Sequence, residues 1–469
     1  MQATEPTSDR RRWRFLQPLP GGATFASLVE ADFRWYFVGN LAFFMAMQMQ
    51  FVLRGYLAFE LTHSAAALGL VGVAITLPML VVAPIGGVVA DRVNKKTLLI
   101  TTQLVAAVAS LVPAVLIIGS WIQFWHILAV CLVTGIVFSF NMPARSALVP
   151  LLVPRHKLMN AISLQMGGMN FTRIIAPAVA GMLIAPIGVG GAYFITAALF
   201  ALAVLSEIRL PKHGLKALPR EGNVLEDFLT GLRYIARDQV IGLLILTNLL
   251  IPFFGFPVQQ MLPIFAQDVF ATGAPGLGLL AAMTGVGGLA GAIVSANMDR
   301  QPAKGRLMLV GGITMGTFLT LFALTPVFGL ALFFIMAGGV GQMLFTTTNN
   351  TVIQASVHEE MRGRVNSLML MSFGVMPLGV LPLTAIADVV GAPVTIAGSS
   401  IMLLVIVLLL FASVKPLRDL RMDALARTDL SRSRAAALVA EGKLTQEDAD
   451  RLSGVDPRGP APAVASRPN

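Results

Sequence analysis

The chain has 469 residues, 56% of them hydrophobic and only 12% charged, with a mean hydropathy of +0.77 and a formal net charge of +10. A soluble globular protein carries roughly 25% charge, so that class is excluded, and the long unbroken apolar runs exclude the alternating pattern of a membrane β-barrel. The single cysteine, Cys131, excludes an intramolecular disulfide and is expected to be a small buried hydrophobe.

What remains is an all-α polytopic membrane protein, because only helices can satisfy backbone polar groups across hydrocarbon in runs of about 20 residues. Residues 1–35 read as a cytoplasmic segment, polar and basic, with no apolar core of a cleavable signal peptide. Apolar runs predict twelve spans, at 36–59, 66–90, 97–119, 122–144, 164–186, 190–208, 240–262, 276–297, 306–325, 328–349, 365–388 and 392–414. They group as a six-helix amino-terminal half (36–208), a cytoplasmic linker (209–239) and a six-helix carboxy-terminal half (240–414). A cytoplasmic tail (415–469) follows. In it, "SRSRAAALVAEGKLTQEDADRL" predicts a helical hairpin, with Gly442 ending one helix and Thr445 opening the next three residues before Asp448. Beyond Gly454 the composition predicts disorder.

Basic residues sort the loops. Every Lys and Arg in the loops between spans follows span 2, 4, 6, 8 or 10, and the loops after spans 1, 3, 5, 7, 9 and 11 hold none. By the positive-inside rule both termini are cytoplasmic, and the positive charge belongs to the membrane surface rather than to nucleic acid binding.

Charge is concentrated in the turn between spans 2 and 3, "GGVVADRVNKKTLL", which carries Asp91, Arg92, Lys95 and Lys96. A weaker copy, "ANMDRQPAKGRLML" with Asp299 and Arg300, joins spans 8 and 9. The two halves therefore repeat in parallel orientation. Such mixed-charge turns are candidate latches between halves. Gly87, Asp91, Arg92, Lys95 and Lys96 resemble the signature loop of the major facilitator superfamily, with Asn94 where the family often has Gly. "NMPARSALVPLLVPRHKLMNAISLQ" and "HEEMRGRVNSL" resemble its enterobactin-exporter-like efflux branch, a likeness that runs from about 33 to 414. In span 5, "GGMNFTRIIAPAVAG" resembles the antiporter motif, with Pro177 and Gly181 kept and alanine replacing two glycines. These small residues also suit close helix packing alone. The resemblance implies a monomeric secondary transporter that exports a small amphipathic molecule by alternating access, with protons as the candidate coupling ion. It also implies an inner-gate role for Arg145, with Asp91 as candidate partner; an interfacial anchor is the alternative.

Ionisable residues inside a membrane are functional candidates by default. Arg173 lies about ten residues, roughly 15 Å, into span 5, near the midplane where transporter sites lie; it is expected to face the central cavity and contact an anionic substrate group or a coupling carboxylate, with a structural Arg bound to backbone carbonyls or a neighbouring helix as the alternative. Arg54 in span 1 shares a helical face with Gln50 and is expected to snorkel toward the outer surface or to face the cavity; Gln48 lies off that face. Neutral candidates are Asn141, Asn248, Gln342, Thr346 and Asn349. The candidate coupling acids, Glu60, Asp268 and Asp388, fall at the outer ends of spans 1, 7 and 11, where solvation is the alternative reading. All other carboxylates are assigned to cytoplasmic segments. The 23 Met and 28 Phe suit an adaptable apolar cavity or a lipid-facing surface.

No phosphate-cradling G-x-x-x-x-G-K-[ST], zinc-protease pair or Cys/His cluster occurs, so neither an ATP-driven pump, an enzyme, a metal nor a cofactor is expected. An importer, a lipid or lysophospholipid transporter and a non-transporting membrane scaffold are the alternatives to efflux.

Overall fold

The computed structural model describes residues 25–211, 233, 239–298, 301–357, 361, 365, 369, 376–414 and 417. Every regular element among them is helical. A short 3-10 helix (Ala26–Val29) leads into α1 (Ala31–Thr62), α2 (Ala65–Arg92), α3 (Lys95–Ile118) and α4 (Phe124–Leu152). The stretch Leu158–Ile208 is interrupted at Gly188, whose φ of 71° and ψ of 171° are not helical. Residues 158–187 are therefore α5 and 189–208 are α6. The second half holds α7 (Gln239–Ile264), α8 (Gly273–Asn297), α9 (Lys304–Leu324), α10 (Phe328–Ser356), α11 (Met376–Val390) and α12 (Ala392–Ser413). The twelve expected spans thus appear in order. Of span 11, α11 and the single residues 365 and 369 are described. Most of the linker, the tail with its expected hairpin, Asp299 and Arg300 lie outside the described residues.

The turns follow from local chemistry. Ser64 caps α2 by accepting from the Ala67 N–H. Asn94 caps α3, its side-chain oxygen accepting from the N–H groups of Lys96 at 3.0 Å and Thr97 at 3.4 Å. That explains the departure from glycine there: the turn uses Asn as an N-cap. Val81, Val108 and Leu409 are exposed on outward faces, as hydrocarbon permits.

Helices in lipid associate through packing rather than through hydrophobic exclusion, so small residues mark the contacts. A Cβ added to Gly135 would lie 2.2 Å from the Ile75 carbonyl, and one on Gly86 2.2 Å from the Ser139 carbonyl, so α2 and α4 touch backbone to backbone. The halves meet along α5–α8 and along α2–α11. At the first contact, a Cβ on Gly181 would lie 2.5 Å from the Ala274 carbonyl, and one on Gly278 2.6 Å from the Pro177 carbonyl. The span 5 motif therefore lies on one of the two surfaces where the halves touch.

Candidate functional site: a cavity between the halves

A cavity of about 450 Å³ lies between the halves. Its wall includes Gln48 and Phe51 of α1, Arg173 and Pro177 of α5, and Asn248, Phe256 and Gln259 of α7. Thr284 and Gly288 of α8, Gln342, Met343 and Thr346 of α10, and Met369 complete this set. Of the expected cavity residues, Arg173, Asn248, Gln342 and Thr346 are on the wall. Arg173 is half-buried, with no hydrogen bond or ion pair among the described residues. Glycines of α8 make room for it: a Cβ on Gly288 would lie 3.8 Å from its Nη1, and one on Gly285 2.9 Å from its carbonyl oxygen.

Asn349 lies behind the wall. Its Nδ2 donates to the Leu244 carbonyl at 3.1 Å and to Asn248 Oδ1 at 3.5 Å, so it orients a wall residue instead of lining the cavity. Sequence reasoning missed Gln259 and Thr284 and set Gln48 aside as lying off the polar face of span 1. Gln48 and Phe51, three residues apart on one helix, are the pair whose spacing carried the signal.

Arg54 does not snorkel. It is 4% exposed, inside the first half, where its Nη2 donates to Thr134 Oγ1 at 2.9 Å and to Gln50 Oε1. Gln50 in turn donates to Ser110. Polar partners on α3 and α4 hold the side chain inward, so neither Arg54 nor Gln50 is on the cavity wall.

A second buried cluster lies toward the α2–α3 turn. Arg145 is 1% exposed and Glu207 fully buried, and Arg145 Nη2 lies 3.2 Å from Glu207 Oε1. Arg145 also donates from Nε to Asn141 Oδ1 at 2.7 Å and from Nη1 to Asn40 Oδ1 at 3.0 Å. Gln103 Nε2 donates to Glu207 Oε1 at 2.9 Å, and Asn141 Nδ2 to Thr102 Oγ1 at 2.8 Å. The Phe43 ring centroid lies 4.1 Å from the guanidinium carbon. Two sequence expectations change here. Arg145 is a buried ion-pair residue, not an interfacial anchor, and Glu207 is not in a solvated cytoplasmic segment. The side chain of Asp91 lies outside the described residues.

In the signature turn, Lys96 Nζ donates to the carbonyls of Ile208, at 2.6 Å, and Leu210. It thereby closes the carboxy-terminal end of α6, a position where a cation is favoured. Lys95 is 1% exposed and Arg92 is exposed. These two Lys96 contacts tie α3 to the end of α6 and to the first residues after it. Gly87 faces open space, and the neighbouring Gly86 makes the close approach.

A contact between halves is found at the opposite end. Asp388, beyond the middle of α11, accepts from Ser64 Oγ at 2.8 Å and from the N–H groups of Ala65 and Ala66. It caps α2 across the interface, assisted by helix-dipole attraction for a carboxylate. Gly69 lies beside Thr384 and Gly72 beside Gln260, so α2 seats closely on α7 and α11 there. Glu60 and Asp268 are exposed. Among the described residues, no group of three His, Cys, Asp or Glu is placed to hold a metal.

A helical bundle in two halves, with a mainly apolar cavity between them that carries several polar side chains, defines a membrane transporter of the major facilitator type. The family model for transmembrane secretion effectors of this superfamily matches residues 22–441, and the chain belongs to that family. It is 25% identical to macrolide efflux protein A of Streptococcus pyogenes over 71% of this chain and 83% of that protein. It is 27% identical to the staphyloferrin A transporter of Staphylococcus aureus, over 70% and 83% respectively. With the enterobactin exporter EntS of Salmonella choleraesuis it shares 28% over 66% of this chain and 74% of that one. Among solved structures, a bacterial homolog of the human lysosomal transporter Spinster, in an inward-facing and unoccupied conformation, matches with a TM-score of 0.61 at 16% identity. The match covers 82% of this chain and 95% of that one. The nucleoside transporter NupG matches with a TM-score of 0.64 at 14% identity, over 81% and 98%. Both show the shared fold.

Proposed function

We propose that this protein exports small amphipathic molecules from the cytoplasm by alternating access, with both termini on the cytoplasmic side. The observation that carries the reading is the cavity between the halves, together with the seal made at one end by α2 against α7 and α11. Basic loops assign the sealed end to the outside. The conformation is then inward-facing, ready to load cargo from the cytoplasm. Efflux is supported by relatives named for macrolide and enterobactin export, and drug-like compounds or siderophores are the candidate cargo. Protons are the proposed coupling ion. Glu60, Asp268 and Asp388 stay as candidate acids at the outer mouth, and Glu207 joins them as a buried carboxylate.

Inside-out vesicles with an imposed pH gradient test this. Wild type accumulates labelled amphipathic compounds and siderophores, and a protonophore added midway collapses the accumulation. Arg173→Ala abolishes uptake of those compounds that wild type carries. Accumulation in right-side-out vesicles alone would make the protein an importer, and uptake indifferent to the protonophore would remove proton coupling.

A further inference from the structure

The fixed charge on the cavity wall is positive and stands alone among the described residues. Arg173 has no partner there, and the other polar wall residues, such as Gln48, Asn248, Gln259 and Gln342, are neutral. Carboxylates are elsewhere. Glu207 is engaged with Arg145 inside the first half, and Glu60, Asp268 and Asp388 are exposed toward the sealed end. The sequence around the wall residue Met369, from 361 to 375, contains no Asp or Glu. A guanidinium held partly out of water without a counter-ion is costly, and a ligand that supplies the negative charge relieves that cost.

We propose that the cavity selects amphipathic anions. The negative group of the cargo pairs with Arg173, and Phe51, Phe256, Met343 and Met369 take its apolar body. This rests on the transporter reading of the same cavity and adds the sign of the cargo's charge. A cation of the same shape meets a like charge with no acid to offset it. At about 6 Å and an effective dielectric of about 20, that repulsion lowers affinity on the order of 100-fold.

Tetraphenylborate and tetraphenylphosphonium share a shape and differ in charge sign, so they isolate this effect. Equilibrium binding of each is measured on detergent-solubilised wild type, Arg173→Lys, Arg173→Gln and Gly288→Asp, all checked for a monodisperse folded state. Wild type prefers the borate. Arg173→Lys keeps that preference. Arg173→Gln lowers borate affinity about ten-fold or more and raises phosphonium affinity. Gly288→Asp places a carboxylate beside Arg173 and removes the preference with the arginine still present. Wild type without a preference for the borate overturns the proposal, as does an Arg173→Gln protein whose ratio equals that of wild type. Binding is read without a membrane or gradient, so failure of the efflux reading and failure of anion selection give separate results.

Discussion

Arg145 and Glu207 form a buried ion pair contacted by Asn40, Gln103, Asn141 and the ring of Phe43. Removing one partner of a buried pair leaves an unpaired charge, which costs about 3–5 kcal/mol, whereas replacing both by apolar groups of similar volume is often neutral. Glu207→Ala and Arg145→Ala are each expected to lower stability by about that amount, and the Arg145→Met, Glu207→Leu pair to recover most of it. Unfolding of purified protein in a denaturing detergent titration checks both. If the double variant were as unstable as either single one, the uncompensated-charge account would fail. Arg173 was legible in the sequence because a cation in mid-span is too costly to keep in hydrocarbon and must face protein or water. Glu207 was not. It falls in the last turn of a span, where a carboxylate normally reaches water, and its partner lies 62 positions earlier on another helix. Pairing across helices leaves no periodic trace, which is also why Arg54 was expected to snorkel outward or to face the cavity and not to bond within its own half.

At the level of helices, the order and the number of spans were readable because hydrocarbon demands long apolar runs and leaves little ambiguity. Which glycine in a run meets a neighbour was not readable, because that depends on helix rotation. Gly86 and Gly87 are adjacent in sequence, yet a Cβ on Gly86 would press on the Ser139 carbonyl while one on Gly87 meets nothing within 4 Å. Gly86→Ala is therefore expected to separate α2 from α4 and to destabilise by roughly 1–3 kcal/mol, the cost of overpacking. Gly87→Ala is expected to leave the melting temperature close to wild type. Thermal unfolding of the two purified variants side by side distinguishes them, and equal melting temperatures would reject the assigned rotation of α2. The same reasoning separates the polar residues of α1: Gln48 reaches the cavity while Gln50, two positions on, turns into its own half.

For the molecule as a whole, the proposed alternating access would require that the end closed by α2, α7 and α11 part without the halves unfolding. Asp388 is suited to this. Its three contacts on α2 are the kind that water can replace, because the carboxylate is exposed. A carboxylate at a helix amino-terminus contributes about 0.3–1 kcal/mol at an exposed site and up to about 2 when partly buried. Asp388→Asn is expected to shift the balance toward the outward-open form by that amount, a few-fold in population ratio. Spin labels on Leu61 and Val389, both exposed near this end, report it as a growth of the longer-distance population. An unchanged distance distribution would show that packing of Gly69 and Gly72 alone seals the mouth.

The α5–α8 contact has a mechanical consequence. Its closest backbone approaches run from Ala274 in the first turn of α8 to Gly285, a length of about 16 Å. The following 12 residues, to Asn297, extend about 18 Å further. The fulcrum between the halves is therefore off-centre, with a long lever arm toward the α2–α3 turn and a short one toward Asp388. A given rotation about that contact moves the end at the α2–α3 turn far and the end at Asp388 little.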